Sequence, residues 1–219
     1  MKHLIPISLL AILAGSAHAD SVSYSAPCPL QLFDISDTLS LPKFSSSFGV
    51  LTGVEVSFGG HLESDMRFEN LNPNAKTITM EADGNFQVTG PGNSFVLDRI
   101  SSISTTTKVK GFDKKIDFGG TSGATYTGLF ADVQADMYCS SADFSLFEGK
   151  GKVSFGFDGN VETFASGSGN LRTEFDTRGS GWVKVVYNYN PVPEPSSLLG
   201  IALGVACLVG NSFRKRRAK

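Results

Sequence analysis

A chain of 219 residues with 19 Lys and Arg, 21 Asp and Glu and a formal charge of −2 is neither a basic nucleic-acid coat nor a highly charged disordered tail. Three cysteines are too few for a scaffold built on disulfides. With its two unusual ends set aside, about 175 residues remain, which suits one domain with a full core and leaves little room for two.

The amino terminus reads Met1-Lys2-His3, an apolar run from Leu4 to Ala14, then Ala17-His18-Ala19 ahead of Asp20. Cation, apolar core and small-x-small triplet, in that order, are what the export machinery and signal peptidase recognise. Residues 1–19 are therefore expected to be a signal peptide, with Ala17 and Ala19 marking the cut. The competing reading is a retained anchor, but an apolar run of about 11 residues falls well short of the roughly 20 that span a bilayer.

From residue 20 to 190 the chain is rich in Ser, Thr, Gly, Val and Phe, with apolar residues alternating at the period of strands. Gln31 to Leu41 is a first strand. In Val50 to Phe58 one face carries Val50, Thr52, Val54, Val56 and Phe58. The next strand sets Leu62, Met66 and Phe68 against His61, Glu63, Asp65, Arg67 and Glu69, with Gly59 and Gly60 as the turn before it. Two hairpins are expected at Asp83-Gly84 and Asp158-Gly159, since Asp-Gly suits the type I′ turn. Asn93 to Asp98, Ile100 to Lys110, Phe144 to Phe147 and Asn170 to Asp176 are further strands. Leu129 to Tyr138 fits either period, and strand is preferred. The last strand, Gly181 to Asn190, sets Val183, Val185, Tyr187 and Tyr189 against Trp182, Lys184, Val186 and Asn188. About ten short strands predict an all-β fold, a single antiparallel β-sandwich, jelly-roll-like, with Greek-key connections.

Leu39-Ser-Leu-Pro-Lys-Phe44, Phe48-Gly-Val-Leu-Thr-Gly-Val54, Phe68-Glu-Asn70 and the closing Val-Tyr-Asn-Tyr ending at Tyr189 resemble the choice-of-anchor E family of small β domains. That resemblance implies export and a β fold, and implies no reaction.

Residues 191–219 are three-part: Pro193-Glu194-Pro195, an apolar segment from Ser196 to Phe213, and the basic cluster Arg214, Lys215, Arg216 and Arg217. Eighteen residues of helix reach about 27 Å, enough for a thin hydrocarbon core. The cations act as a stop-transfer signal and stay cytoplasmic, which leaves everything before Pro195 outside. The tail resembles the PEP-CTERM sorting signal. The resemblance implies recognition by exosortase, removal of the tail and transport to or attachment at the cell surface. A plain uncleaved transmembrane anchor satisfies the same topology.

Without Lys2, Glu194 and the five carboxy-terminal cations, thirteen cations face twenty acids, a net charge of about −7. Such a domain is a poor partner for nucleic acid. Cys207 falls in the apolar tail, so Cys28 and Cys139 are left in an oxidising compartment and are expected to form a disulfide. Neither has the companions of a zinc site, so no metal and no cofactor are expected.

The chemistry of catalysis is thinly represented. His3 and His18 belong to the signal peptide, so His61 alone remains, and no Gly-x-Ser-x-Gly elbow accompanies it. Asp113 with Asp117, and Asp132 with Asp136, are carboxylate pairs that a solvated face explains. Trp182 suits either sugar stacking or a second buried face. The reading is a non-enzymatic surface or matrix protein, processed by signal peptidase and exosortase and linked to exopolysaccharide. A secreted polysaccharide hydrolase using a carboxylate pair and a self-assembling surface subunit are the alternatives.

Overall fold

The computed structural model describes residues 19–192. The expected signal-peptide core, Ala17, the Pro193-Glu194-Pro195 motif, the 196–213 segment and the cluster from Arg214 to Arg217 lie outside those residues. Ala19 is the first described residue.

Eight strands follow in order: β1 (Asp20–Leu32), β2 (Ile35–Pro42), β3 (Gly49–Asn70), β4 (Lys76–Thr89), β5 (Val96–Val109), β6 (Gly123–Tyr138), β7 (Lys152–Ser166) and β8 (Leu171–Pro191). One short helix, α1 (Phe144–Phe147), lies between β6 and β7. The front sheet has the order β1-β8-β3-β6 and the back sheet β2-β7-β4-β5. Every pairing is antiparallel. The pairs nest: β4 with β5, β3 with β6, β2 with β7 and β1 with β8. Successive pairs alternate between the sheets, as when one long hairpin is rolled up. Among the described residues no helix is long and apolar enough to cross a membrane.

The strands are fewer and longer than expected, because glycines that read as turns lie inside them. Gly59 and Gly60 sit within β3, Asp83-Gly84 within β4 and Asp158-Gly159 within β7. None of these residues has the positive φ that a type I′ turn requires. The glycines among them are small because neighbouring rings and side chains fill their space, from the facing sheet at Gly60 and from Trp182 of the same sheet at Gly59. A Cβ on Gly60 would lie 2.5 Å from Cγ of Phe86, and one on Gly181 would lie 2.2 Å from Cζ of Phe157. Gly84 and Gly159 lie against Phe33, and Gly159 also against Ile35. The core is thus aromatic rings set opposite glycines, large against small, which is how facing β layers reach close packing.

Other expectations change for local reasons. Gln31 to Leu41 is broken at Phe33 and Asp34, where the chain leaves the front sheet for the back one. Asp34 takes a positive φ of 74°, and the Phe33 ring packs 5.6 Å from that of Phe86. In β3 a bulge between Leu51 and Gly53 reverses the phase, so Leu51 is buried and Val50 exposed while Val54, Val56 and Phe58 keep the core face. Asn93 to Asp98 and Ile100 to Lys110 merge largely into β5, and the two late segments merge into β8. Phe144 to Phe147 is a helical turn rather than a strand. The Ser140 hydroxyl accepts a hydrogen bond from the Ala142 amide just ahead of it. The preference for strand over Leu129 to Tyr138 agrees with β6.

Cys28 and Cys139 are free, which corrects the expected disulfide. Cys28 lies on β1 and pairs with Gly181, while the Cys139 amide donates to Val54 O at the end of β6. β1 and β6 are the two edges of the front sheet, three strand spacings of about 4.8 Å apart. A disulfide needs Cα atoms within about 7 Å. Burial pushes both thiols up to about 11.

Candidate functional site

The outer face of the front sheet carries a hollow of about 310 Å³ lined by residues 59–61 of β3, 132–134 of β6 and 180–182 of β8. Its floor is set by the cross-strand register, which aligns Trp182 with Gly59 and Gln134, and Ser180 with His61 and Asp132. Trp182 is half-buried, and its indole lies directly over Gly59: a Cβ there would fall 2.4 Å from Nε1. An aromatic ring laid over a cross-strand glycine is held flat by the backbone beneath it. His61 Nδ1 and Asp132 Oδ1 are 2.6 Å apart, and the His61 ring stacks on Phe130 at 5.8 Å between centroids. One imidazole face and one nitrogen are therefore constrained by neighbours. Phe130 is itself exposed.

Ser180, His61 and Asp132 form a row across three strands, which sequence spacing could not reveal. Among the described residues no hydrogen bond joins Ser180 to His61, and the hollow is lined by strand residues alone, without a helix N-terminus turned over it. Such a surface offers a platform and hydrogen-bonding groups. It does not offer a preorganised oxyanion site.

The carboxylate pairs separate. Asp132 and Asp136 stand on the outer face of β6, aligned with His61 and Ser57. Asp113 and Asp117 belong to the 110–122 loop, where they cap backbone amides: Asp113 Oδ1 accepts from Lys115 N at 3.0 Å and Asp117 Oδ1 from Gly119 N at 3.1 Å. The Lys115 amide, chiefly, holds the Asp113 carboxyl below its ordinary range. Glu69 departs from its expected place among exposed charges. It is fully buried, its carboxylate accepts from the Ser122 hydroxyl, and its Oε2 has no partner among the described residues. Beside it, buried Asn70 donates to the carbonyls of Asn74 (3.1 Å) and Lys110 (3.0 Å) and accepts from Asn72 N and Ser168 Oγ (both 3.1 Å). Three loops are thereby tied to one side chain, and nothing in the alternating pattern of β3 signals it. No group of three or more metal-ligating side chains occurs among the described residues.

Both described ends of the chain leave from the opposite end of the sandwich. Asp20 pairs with Tyr189, Gly49 with Pro191, and Val192 N donates to Phe48 O at 3.3 Å.

Solved structures similar to this chain are remote. A structure of infectious bursal disease virus, Gx strain, is 11% identical with a TM-score of 0.21, covering 80% of this chain and 36% of its own. A second infectious bursal disease virus particle is 10% identical with a TM-score of 0.24, covering 89% of this chain and 45% of its own. This chain thus spans less than half the length of either. No curated protein matches the chain. The family match found is confined to the tail and does not extend into the β domain, so the choice-of-anchor E resemblance gains no support from it. Residues 191–217 match the PEP-CTERM protein-sorting motif, which indicates sorting to the cell surface by an exosortase-type system.

Proposed function

We propose that the chain is a surface-displayed, non-catalytic polysaccharide-binding protein. In this reading residues 1–19 are a signal peptide cut after Ala19. Residues 196–213 hold the chain in the membrane, with Arg214 to Arg217 inside, until exosortase acts at Pro193-Glu194-Pro195. The nested strand order is that of a jelly roll, and the domain binds glycan on the outer face of its front sheet.

The carrying observation is Trp182, laid over Gly59 and ringed by His61, Asp132, Gln134 and Ser180. A pyranose presents an apolar face and a rim of hydroxyls, which matches an indole plane bordered by an imidazole, an amide and a carboxylate. The hydrolase alternative, which needs a carboxylate pair, has less support, since Asp113 and Asp117 cap backbone amides and Asp132 is engaged by His61.

Trp182 is the only tryptophan, so its fluorescence reports the hollow directly. Titration with neutral oligosaccharides is expected to perturb that emission saturably, and Gln134→Ala should weaken the response about tenfold. A panel that leaves the emission unchanged would refute the site, and release of shortened sugars from the panel would refute the non-catalytic reading.

A further inference from the structure

We infer that the end of the sandwich farthest from the tail is a second binding site, specific for acidic polysaccharide. Lys76, Lys108, Lys110, Lys114 and Lys115 gather there, Lys76 pairing with Val109 beside the start of the 110–122 loop. None has a carboxylate within 4.0 Å among the described residues. The two acids of the loop, Asp113 and Asp117, spend oxygens on backbone amides. Arg67 and Arg172 flank the group, both placed against the Phe118 ring, at 4.9 and 5.7 Å from its centroid, and both paired with Glu174. On a domain whose overall charge is clearly negative, this is a local positive surface, and such a surface concentrates a polyanion.

The loop is built rather than loose. Its ends are fixed by Lys110 N to Thr121 O and Phe112 N to Asn72 O, both 2.9 Å, and by the Asn70 side chain below. Lys114 and Phe118 adopt positive φ of 70° and 54°, a conformation that side-chain-bearing residues rarely take and that the surrounding hydrogen bonds hold in place. Preorganised cations lose less entropy on binding.

Position selects the ligand. β3 runs from Gly49, beside the tail exit, to Asn70, beside the lysines, and 22 strand residues reach about 70 Å. A domain tethered through its tail therefore presents the lysines away from its own membrane, toward extracellular polymer. Ile116, exposed between Lys115 and Asp117, adds apolar contact for a sugar ring.

The test uses full-length protein in detergent micelles over immobilised alginate and, separately, dextran, at increasing NaCl. Binding to alginate but not dextran is expected, weakening steeply with salt. The K108Q/K110Q/K114Q/K115Q variant should lose at least tenfold in alginate affinity with its melting temperature unchanged. K150Q/K152Q, altered at the tail end, should bind as the parent does. Equal retention on dextran, equal loss in the K150Q/K152Q control, or binding to phosphatidylglycerol vesicles or duplex DNA as tight as to alginate would overturn the inference. Trp182 emission serves as a separate readout: it stays unchanged on alginate if the two sites are independent.

Discussion

Gly181 of β8 lies against the ring of Phe157 on the facing sheet, with room for no side-chain atom: a Cβ would stand 2.2 Å from Cζ of that ring and 2.5 Å from the Gly59 carbonyl oxygen. Gly181→Ala is expected to destabilise the domain by about 1–3 kcal/mol through overpacking. Phe157→Leu in the same chain should recover part of that loss, since the carbonyl contact remains. Urea denaturation of the two single variants and the double variant measures the coupling. Strict additivity would show that the two sheets do not meet here.

This packing explains what could and could not be read from the residues. Alternation of Val183, Val185, Tyr187 and Tyr189 identified the core face of β8, and the same period identified Leu62, Met66 and Phe68 in β3. Strand length is not legible in the residues, because a glycine in a strand looks like a turn unless the ring that occupies its space is known, and Phe86 and Phe157 are distant in sequence from Gly60 and Gly181. Trp182 was visible as an aromatic on the outer phase. Its platform was not, because Gly59, His61, Asp132 and Gln134 are brought beside it only by cross-strand register. The Asn70 and Glu69 cluster was hidden because burial at a strand end depends on loops, not on period.

The cysteines should behave as two independent thiols, Cys28 buried and Cys139 half-buried. The native thiols hold their protons up to about 11, against a usual 9.0, so the unfolded chain ionises first. Their contribution to stability is complete below pH 9 and is lost as pH rises toward 11. Burial also raises the Tyr187 hydroxyl, which adds to the trend at higher pH. The urea midpoint is expected to fall over this interval, and less so in C28A/C139A. A midpoint sensitive to reductant at pH 7 would indicate a disulfide instead.

Tyr187 is fully buried and donates to Pro42 O at 3.0 Å, linking β8 to the end of β2. Tyr187→Phe removes the donor and leaves a carbonyl in an apolar setting, at a cost of about 1–3 kcal/mol. Thermal unfolding should show a lowered midpoint with the far-ultraviolet spectrum unchanged.

Asn70→Ala removes four hydrogen bonds at once and should act locally as well as globally. Amide exchange in segments 71–75, 110–122 and 167–170 is expected to accelerate well beyond that in β3 and β8. Uniform acceleration across the domain would mean that the loops are held by something other than this side chain.

Intact-mass analysis of the protein recovered from the surface and from the cytosol of its own cells addresses the central claim most directly. The account predicts a surface form beginning at Asp20 and ending within or just before residues 191–217, with both thiols reduced. A full-length chain confined to the cytosol, with Met1 and Lys219 both present, would contradict it.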